Sequence, residues 1–300
     1  MDRPLFGGIE AGGTKFVCVA GRSPDEIVVK AQFPTSDPQA TLKQSADFFR
    51  EQEKQWGKLA AIGIACFGPL ELDPSSPSYG FILPTPKPGW SNVNVAGYFA
   101  EKFNIPVVID TDVNVAAFGE WRWGAGQGLD QFIYLTIGTG IGGGGIIHGK
   151  MMHGLTHPEM GHIRLPQDVQ QDPFEGICPY HGNCLEGLAS GPAIEKRWGQ
   201  KGELLPASHP AWRLEAQYIG IGLINLVCIL SPQRIILGGG VMKQQHLFPL
   251  IHTEVTRLLN DYIQSYSIQH NIAEYIVPPG LGSRSGVLGA IALASEQIHS

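Results

Sequence analysis

The chain has 300 residues, 43% hydrophobic and 16% charged, with 39 glycines, long enough for about two packed domains and too apolar for a disordered or coiled-coil chain. A net charge of -6 excludes a surface built to hold nucleic acid or an anionic membrane, since either needs clustered Lys and Arg. The longest apolar run, roughly 219–230, contains Gly220, Gly222 and Asn225 and falls short of the ~20 residues that span a bilayer. Glu10 and Lys15 interrupt any secretory leader, and five cysteines form too odd and sparse a set for a secreted disulfide scaffold. A cytoplasmic protein without a membrane segment is expected.

Leu5 to Glu10 reads as a strand, Ala11-Gly12-Gly13-Thr14-Lys15 as a tight turn and Phe16 to Ala20 as the returning strand. Ile27 to Phe33 is a third strand. Ser36-Asp37-Pro38 then starts a helix with Leu42, Ala46, Phe49 and Trp56 on one face. Leu59 to Cys66 reads as a buried strand, and the loop that follows, Phe67 to Asn92, includes Thr85-Pro86-Lys87-Pro88-Gly89-Trp90. So long a loop in a compact domain is more often functional than idle.

Ile105 to Asp110 is a strand and Val113 to Trp123 an alanine-rich helix. The opening pattern then recurs as Phe132 to Ile137, Gly138-Thr139-Gly140 and Ile141 to His148, placing Thr139 125 residues (139 minus 14) after Thr14. This marks an internal duplication. An irregular stretch from Met151 to Glu186 precedes helices at Ser190 to Gly199 and Pro210 to Leu230. The strand Arg234 to Leu237, a long helix from His246 to Tyr266 and a last helix from Ser285 to Ile298 complete the chain. Strands and helices alternating in two similar halves predict an α/β protein of two related lobes with a cleft between them. The expected lobes are residues 1–117, completed by 283–300, and residues 118–282, with the break near Phe118.

Two Gly-Thr turns between strands suit phosphate binding, because backbone without Cβ atoms approaches oxygens closely and successive N–H groups form an anion-holding nest. Gly140, Gly142 and Gly145 also fit the G-x-G-x-x-G fingerprint of a nicotinamide enzyme. That fingerprint needs a helix after the glycines, whereas Ile146-Ile147-His148-Gly149-Lys150 reads as strand and turn. A third glycine turn, Gly238-Gly239-Gly240-Val241, ends an apolar strand, where open sheets tend to bind ligands.

Asp112 follows a strand and precedes a helix, a place where carboxylates commonly cap backbone N–H groups. Phosphoryl transfer to an alcohol also needs an acceptor for the hydroxyl proton. Asp110 competes for that role, and alternation cannot separate two residues two apart on a strand.

His162, Cys178, His181 and Cys184 are separated by fifteen, two and two residues, and two thiolates with two imidazoles match tetrahedral zinc in a closed, structural site. A Cys178–Cys184 disulfide is the rival, and His153 and His157 are alternative ligands. Glu159 and Glu186 flank this set and suit sugar hydroxyls, as does the second ring nitrogen of a zinc-bound His162.

Taken together, GGIEAGGTKF, TPKPGW, DTDVN, LTIGTGIGGGG, HPEMGH, CPYHGNCLEGLASG and ILGGGVM resemble, nearly end to end, the repressor, open reading frame, kinase (ROK) family of bacterial sugar kinases, and within it the fructokinases. The resemblance implies an actin-like, two-lobed ATPase fold, a homodimer and ATP-dependent phosphorylation of a hexose with Mg2+, foremost D-fructose to fructose 6-phosphate. It makes Asp112 the general base, Gly12, Gly13, Thr14 and Lys15 the first phosphate turn and Gly138, Thr139 and Gly140 the second. Pro192, Gly239, Gly240 and Val241 border the nucleotide, and Glu159, His162 and Glu186 bind sugar. His162, Cys178, His181 and Cys184 hold zinc.

Three positions depart from the common family pattern. His181 stands in a Cys-x-x-His-x-x-Cys arrangement, which favours fructose; Glu10 replaces an Asp tied to Mg2+; and Thr111 replaces an Asn that binds sugar. Asn114 or the Thr85 to Trp90 loop is expected to compensate for the last. Glucose, mannose or N-acetylmannosamine are alternative acceptors. A repressor is not expected, since only four residues precede Leu5, and a non-catalytic sugar- or nucleotide-binding protein would need neither two phosphate turns nor a base.

Overall fold

The computed structural model describes residues 3–299. They pack as two units, one of residues 3–128, 150–158 and 280–299, the other of residues 129–149 and 159–279. In the first, β1 (Leu5–Ala11) and β2 (Lys15–Ser23) form an antiparallel hairpin that β3 (Glu26–Pro34) extends. Helix α1 (Pro38–Trp56) starts where the Asp37 side chain accepts the Ala40 N–H at 3.0 Å and Pro38 pre-sets the first turn. It buries Leu42, Ala46 and Phe49, whereas Trp56, expected on that face, is 43% exposed at the last turn. After β4 (Leu59–Cys66) the long loop is more ordered than its composition predicts. Its β5 (Phe81–Ile82) pairs with β6 (Val93–Asn94), and Trp90 is fully buried with its indole N–H on the Ser36 carbonyl at 2.9 Å.

Helix α2 (Val95–Phe103) escapes the periodicity argument because it is only nine residues long. Its one local signal is the Asn94 cap, which accepts the Gly97 N–H at 2.8 Å. Strand β7 (Val107–Thr111) runs directly into α3 (Asp112–Trp123). The sheet order is β3-β2-β1-β4-β7, with β4 parallel to both β1 and β7.

The second unit opens with the hairpin β8 (Gln131–Ile137) and β9 (Ile141–Ile147). The chain then passes through β10 (Lys150–Met151), in the first unit's share, before α4 (Leu185–Ala189), α5 (Gly191–Trp198), α6 (Ala211–Leu230) and β11 (Ile235–Gly238). Helices α7 (Leu247–Leu259), α8 (Tyr266–Gln269) and α9 (Ile272–Tyr275) lead to β12 (Ile276–Val277). Within the unit the order is β9-β8-β11-β12, with β11 parallel to both β8 and β12. Each unit thus contains a hairpin continued by two parallel strands, the structural form of the repeat. The helix expected to reach Tyr266 stops at Leu259, because Asn260 turns left-handed (φ 45°) and its N–H caps the Thr256 carbonyl at 3.1 Å. Helix α6 is long and apolar enough, by length and composition, to cross a membrane. It instead buries Trp212, Ile219, Leu223 and Leu226 and packs along α7.

Inside the second unit Arg197 of α5 donates to Asp172 at 3.2 Å and to the Leu188 carbonyl at 2.9 Å, while Tyr218 of α6 donates to Asp172 at 2.5 Å. This ties the irregular segment before Cys178 to two helices. Beside it Glu215 is 1% exposed, and neither carboxyl oxygen has a partner among the described residues. Burial pushes its acid well above the ordinary 4.5, against the opposing charge of Arg197. A carboxyl raised in the folded state lends full stability below its unfolded value and loses it as pH rises towards the folded one. Chemical denaturation should therefore show the wild type losing stability relative to Glu215→Gln, by about 1.4 kcal/mol per pH unit above 4.5, until the folded acid ionises. Parallel pH profiles for the two proteins would refute this.

The last helix, α10 (Ser285–His299), returns to the first unit and packs on α3, β1 and β4. The fully buried Glu120 of α3 secures the approach, accepting from the N–H groups of Ala125, Gly280 and Leu281 and the hydroxyl of Ser285 at 2.6–3.0 Å. These bonds explain why the unit does not end near Phe118 as expected. A break there would cut α3 in two and strand a buried carboxylate, so the unit runs on to Gly128.

Candidate active site

At the first hairpin, the Gly12 N–H donates to the Lys15 carbonyl at 2.9 Å, and Gly13, Thr14 and Lys15 are exposed. Thr35 braces the turn by donating from its hydroxyl to the Gly12 carbonyl at 2.6 Å and from its N–H to the Thr14 carbonyl at 3.0 Å. Carbonyl dipoles that would oppose an anion are thereby occupied. Glu10, just before the turn on β1, is half-buried. Burial raises its carboxyl above the ordinary range, and Lys15 and Lys30 pull it back.

The β7–α3 corner separates the two aspartates that alternation leaves equivalent. Asp110 is 3% exposed, and its carboxylate accepts the Thr111 N–H at 2.7 Å and the Asn114 amide at 3.1 Å, and bonds His153 Nε2 at 2.7 Å. Asp112 is only half-buried, at the start of α3, where it accepts the Val113 N–H at 3.0 Å. The Thr111 hydroxyl caps α3 by accepting the Asn114 N–H at 3.2 Å. Asn114, expected to contact sugar, is fully buried, and its amide hydrogens go to Asp110 and the Met152 carbonyl. These bonds hold the corner together.

His153 and His157, weighed above as zinc ligands, belong to the first unit and serve it. The Asp110 carboxylate beside His153 raises the imidazole above its usual range. His157 is buried and accepts the Leu70 N–H through Nε2 at 3.2 Å. Spacing alone carried no signal for either contact, since the partners Asp110 and Leu70 lie far away in sequence.

In the second unit, the Gly138 N–H donates to the Gly140 carbonyl at 2.9 Å and Thr139 is exposed. The Gly191 N–H donates to the Gly138 carbonyl at 2.7 Å, so α5, with Pro192 in its first turn, begins at this hairpin turn. Gly239 takes φ 94°, a left-handed value that favours glycine, and a Cβ on Gly138 would lie 3.4 Å from the Gly240 nitrogen. The second Gly-Thr turn, Ser190 to Pro192, and Gly239 to Val241 therefore meet.

Glu186 also reaches this turn, accepting the Ile141 N–H through Oε2 at 2.9 Å. A Cβ on Gly140 would stand 2.7 Å from that oxygen, so a side chain there would displace Glu186 from its bond to Ile141. The 3-10 turn Met160–His162 lies against β9, with Gly161 directly on the Ile141 carbonyl. Glu186 is thus bonded to the Ile141 N–H and Gly161, next to His162, packs on the Ile141 carbonyl, while exposed Glu159 places a carboxylate oxygen 3.9 Å from His162 Nε2.

The other face of His162 looks into the Cys/His set. Its Nδ1 is 3.7 Å from Cys178 Sγ and 3.5 Å from Cys184 Sγ, and His181 Nδ1 is 3.6 Å from Cys178 Sγ. The four ligand atoms all lie within 4.8 Å of one another. Reciprocal backbone bonds between Cys178 and Gly182, at 3.1 and 2.9 Å, fold the short loop that carries two of them. With Zn–S near 2.3 Å and Zn–N near 2.0 Å, a tetrahedral site has S···N edges of about 3.5 Å, which these separations match. All five cysteines are free thiols, so the disulfide alternative is wrong. Burial, with the Cys178 thiol alongside, pushes Cys184 up to about 11; a dication among the four groups would reverse this by binding thiolate.

A model of the ROK family matches residues 6–297. The fructokinase of Zymomonas mobilis is 44% identical over 299 residues, covering 98% of this chain and 97% of that one. Among solved structures, a ROK hexokinase from Thermus thermophilus superposes with a TM-score of 0.80 at 27% identity, covering 98% of this chain and 99% of that one. A ROK family glucokinase from Streptomyces griseus, in complex with glucose and AMPPNP, does so with a TM-score of 0.77 at 25% identity, covering 97% and 99%. A match that leaves neither unit outside it assigns the fold as well as the sequence: the chain belongs to the ROK family and has its actin-like ATPase fold.

Proposed function

We propose that this protein is an ATP-dependent hexose kinase that converts D-fructose to fructose 6-phosphate. The observation that carries the reaction type is the β7–α3 corner, where Asp110 is buried and takes three hydrogen bonds while Asp112 is half-buried at the start of α3. Full-length identity to a fructokinase carries the choice of sugar. Asp112 accepts the proton of the attacking hydroxyl as its oxygen bonds to the γ-phosphorus, and the bond to ADP breaks.

Gly12, Gly13, Thr14 and Lys15 form one phosphate turn for ATP and Gly138, Thr139 and Gly140 another, while Pro192, Gly239, Gly240 and Val241 border the nucleoside. Mg2+ accompanies the nucleotide, with Glu10 its candidate carboxylate. Glu159 and His162 bind sugar hydroxyls, His162 through Nε2, and Glu186 sets the second turn through Ile141 as it does so. A structural zinc ion held by His162, Cys178, His181 and Cys184 fixes the orientation of the His162 ring. A cytoplasmic homodimer completes the reading.

The test is the initial rate of ADP formation from MgATP with fructose, glucose, mannose and N-acetylmannosamine at matched concentrations. Fructose should give the highest kcat/KM. Preference for another hexose would reassign the acceptor, and ADP formation indifferent to every sugar would favour a binding protein.

A further inference from the structure

Resting on the kinase reading, one more sugar contact can be located at the β7–α3 corner. A hexose acceptor presents several hydroxyls, and several polar side-chain atoms of the first unit already have partners within it. The Thr111 hydroxyl caps α3, the Asn114 amide hydrogens go to Asp110 and Met152, and Asp110 is buried with three donors. Trp90, in the loop expected to compensate at position 111, gives its indole N–H to the Ser36 carbonyl, and His157 Nε2 is taken by the Leu70 N–H.

His153 differs from all of these. Its Nε2 is fixed 2.7 Å from Asp110, its side chain is 42% exposed, and its Nδ1 has no partner among the described residues. An imidazole clamped at one nitrogen and open at the other has a set orientation and one hydrogen-bonding position to offer. We propose that His153 is a specificity-determining residue whose Nδ1 binds one hydroxyl of the acceptor sugar, with Asp110 holding the ring in place.

Full-length His153→Ala and His153→Lys test this by steady-state kinetics with fructose and with fructose analogues that each lack one hydroxyl. Lysine keeps a cationic donor for Asp110 but has no atom at Nδ1, so it separates loss of the contact from collapse of the corner. Both variants should raise KM for fructose by roughly tenfold or more and leave KM for ATP unchanged. One deoxy analogue should be handled equally by wild type and variants, which identifies the hydroxyl read. A variant penalty equal for every analogue, or a fall in kcat alone, would overturn the contact and leave His153 a structural clasp. Should the wild type turn over no sugar, the kinase reading fails separately. Fructose binding by calorimetry then decides, and unchanged Kd in both variants overturns the contact.

Discussion

Asp112→Asn should lower kcat with fructose by about 10²–10⁴-fold, the range for removing a positioned general base, while melting temperature and ATP affinity stay near wild type. Asparagine can still accept the Val113 N–H that Asp112 accepts at 3.0 Å, so this bond at the start of α3 is kept while the carboxylate's basicity is removed. Asp110→Ala should behave oppositely. It deprives the Thr111 N–H, the Asn114 amide and His153 of a buried acceptor and costs about 3 kcal/mol or more of folding stability. Single-turnover phosphoryl transfer and chemical denaturation on the pair separate the roles. If Asp112→Asn kept a kcat within tenfold of wild type, the base assignment would be wrong.

Replacing either thiol, in Cys178→Ser or Cys184→Ser, should abolish zinc stoichiometry measured by elemental analysis. It should also lower folding stability by about 4 kcal/mol or more, as expected for loss of a structural metal. Part of the effect is electrostatic, because the buried Cys184 thiol, pushed up to about 11, needs a cation beside it to ionise at neutral pH. The rest is geometric. The loop from Cys178 to Cys184 is held by few backbone bonds of its own, and the turn that carries His162 sits on β9 beside the second Gly-Thr turn. Chelation should therefore raise KM for the sugar, read through His162, more than KM for ATP. Full retention of stability and sugar affinity in a metal-free protein would show that the four residues form no structural site.

Local chemistry was legible because it is written within a few residues. Gly-Thr turns between apolar runs need glycine for a close backbone path, and their recurrence exposed the duplicated α/β plan that both sheets share. The Cys-x-x-His-x-x-Cys spacing likewise announced a loop whose ligand atoms converge with His162. Short signals also misled: apolar positions carried a helix to Tyr266 although Asn260 ends it, and Phe118 looked like a boundary although it lies inside α3.

What required the tertiary structure was every choice between chemically equivalent residues. Alternation would put Asp110 and Asp112 on one strand face, yet Asp110 ends up buried on β7 with His153 and Asn114 bonded to it, and Asp112 begins α3. His153 and His157 lie only nine and five residues before His162 (162 minus 153 and 162 minus 157), yet Asp110 and Leu70 claim them. Glu186 met Ile141, and Asn114 turned inward, through contacts between segments that no spacing records. Sequence alone determined which groups of the right chemistry exist and the turns that present them. Long-range packing decided which are desolvated and spent on hydrogen bonds and which stay open to a ligand, because a buried polar group must take a partner wherever the fold supplies one.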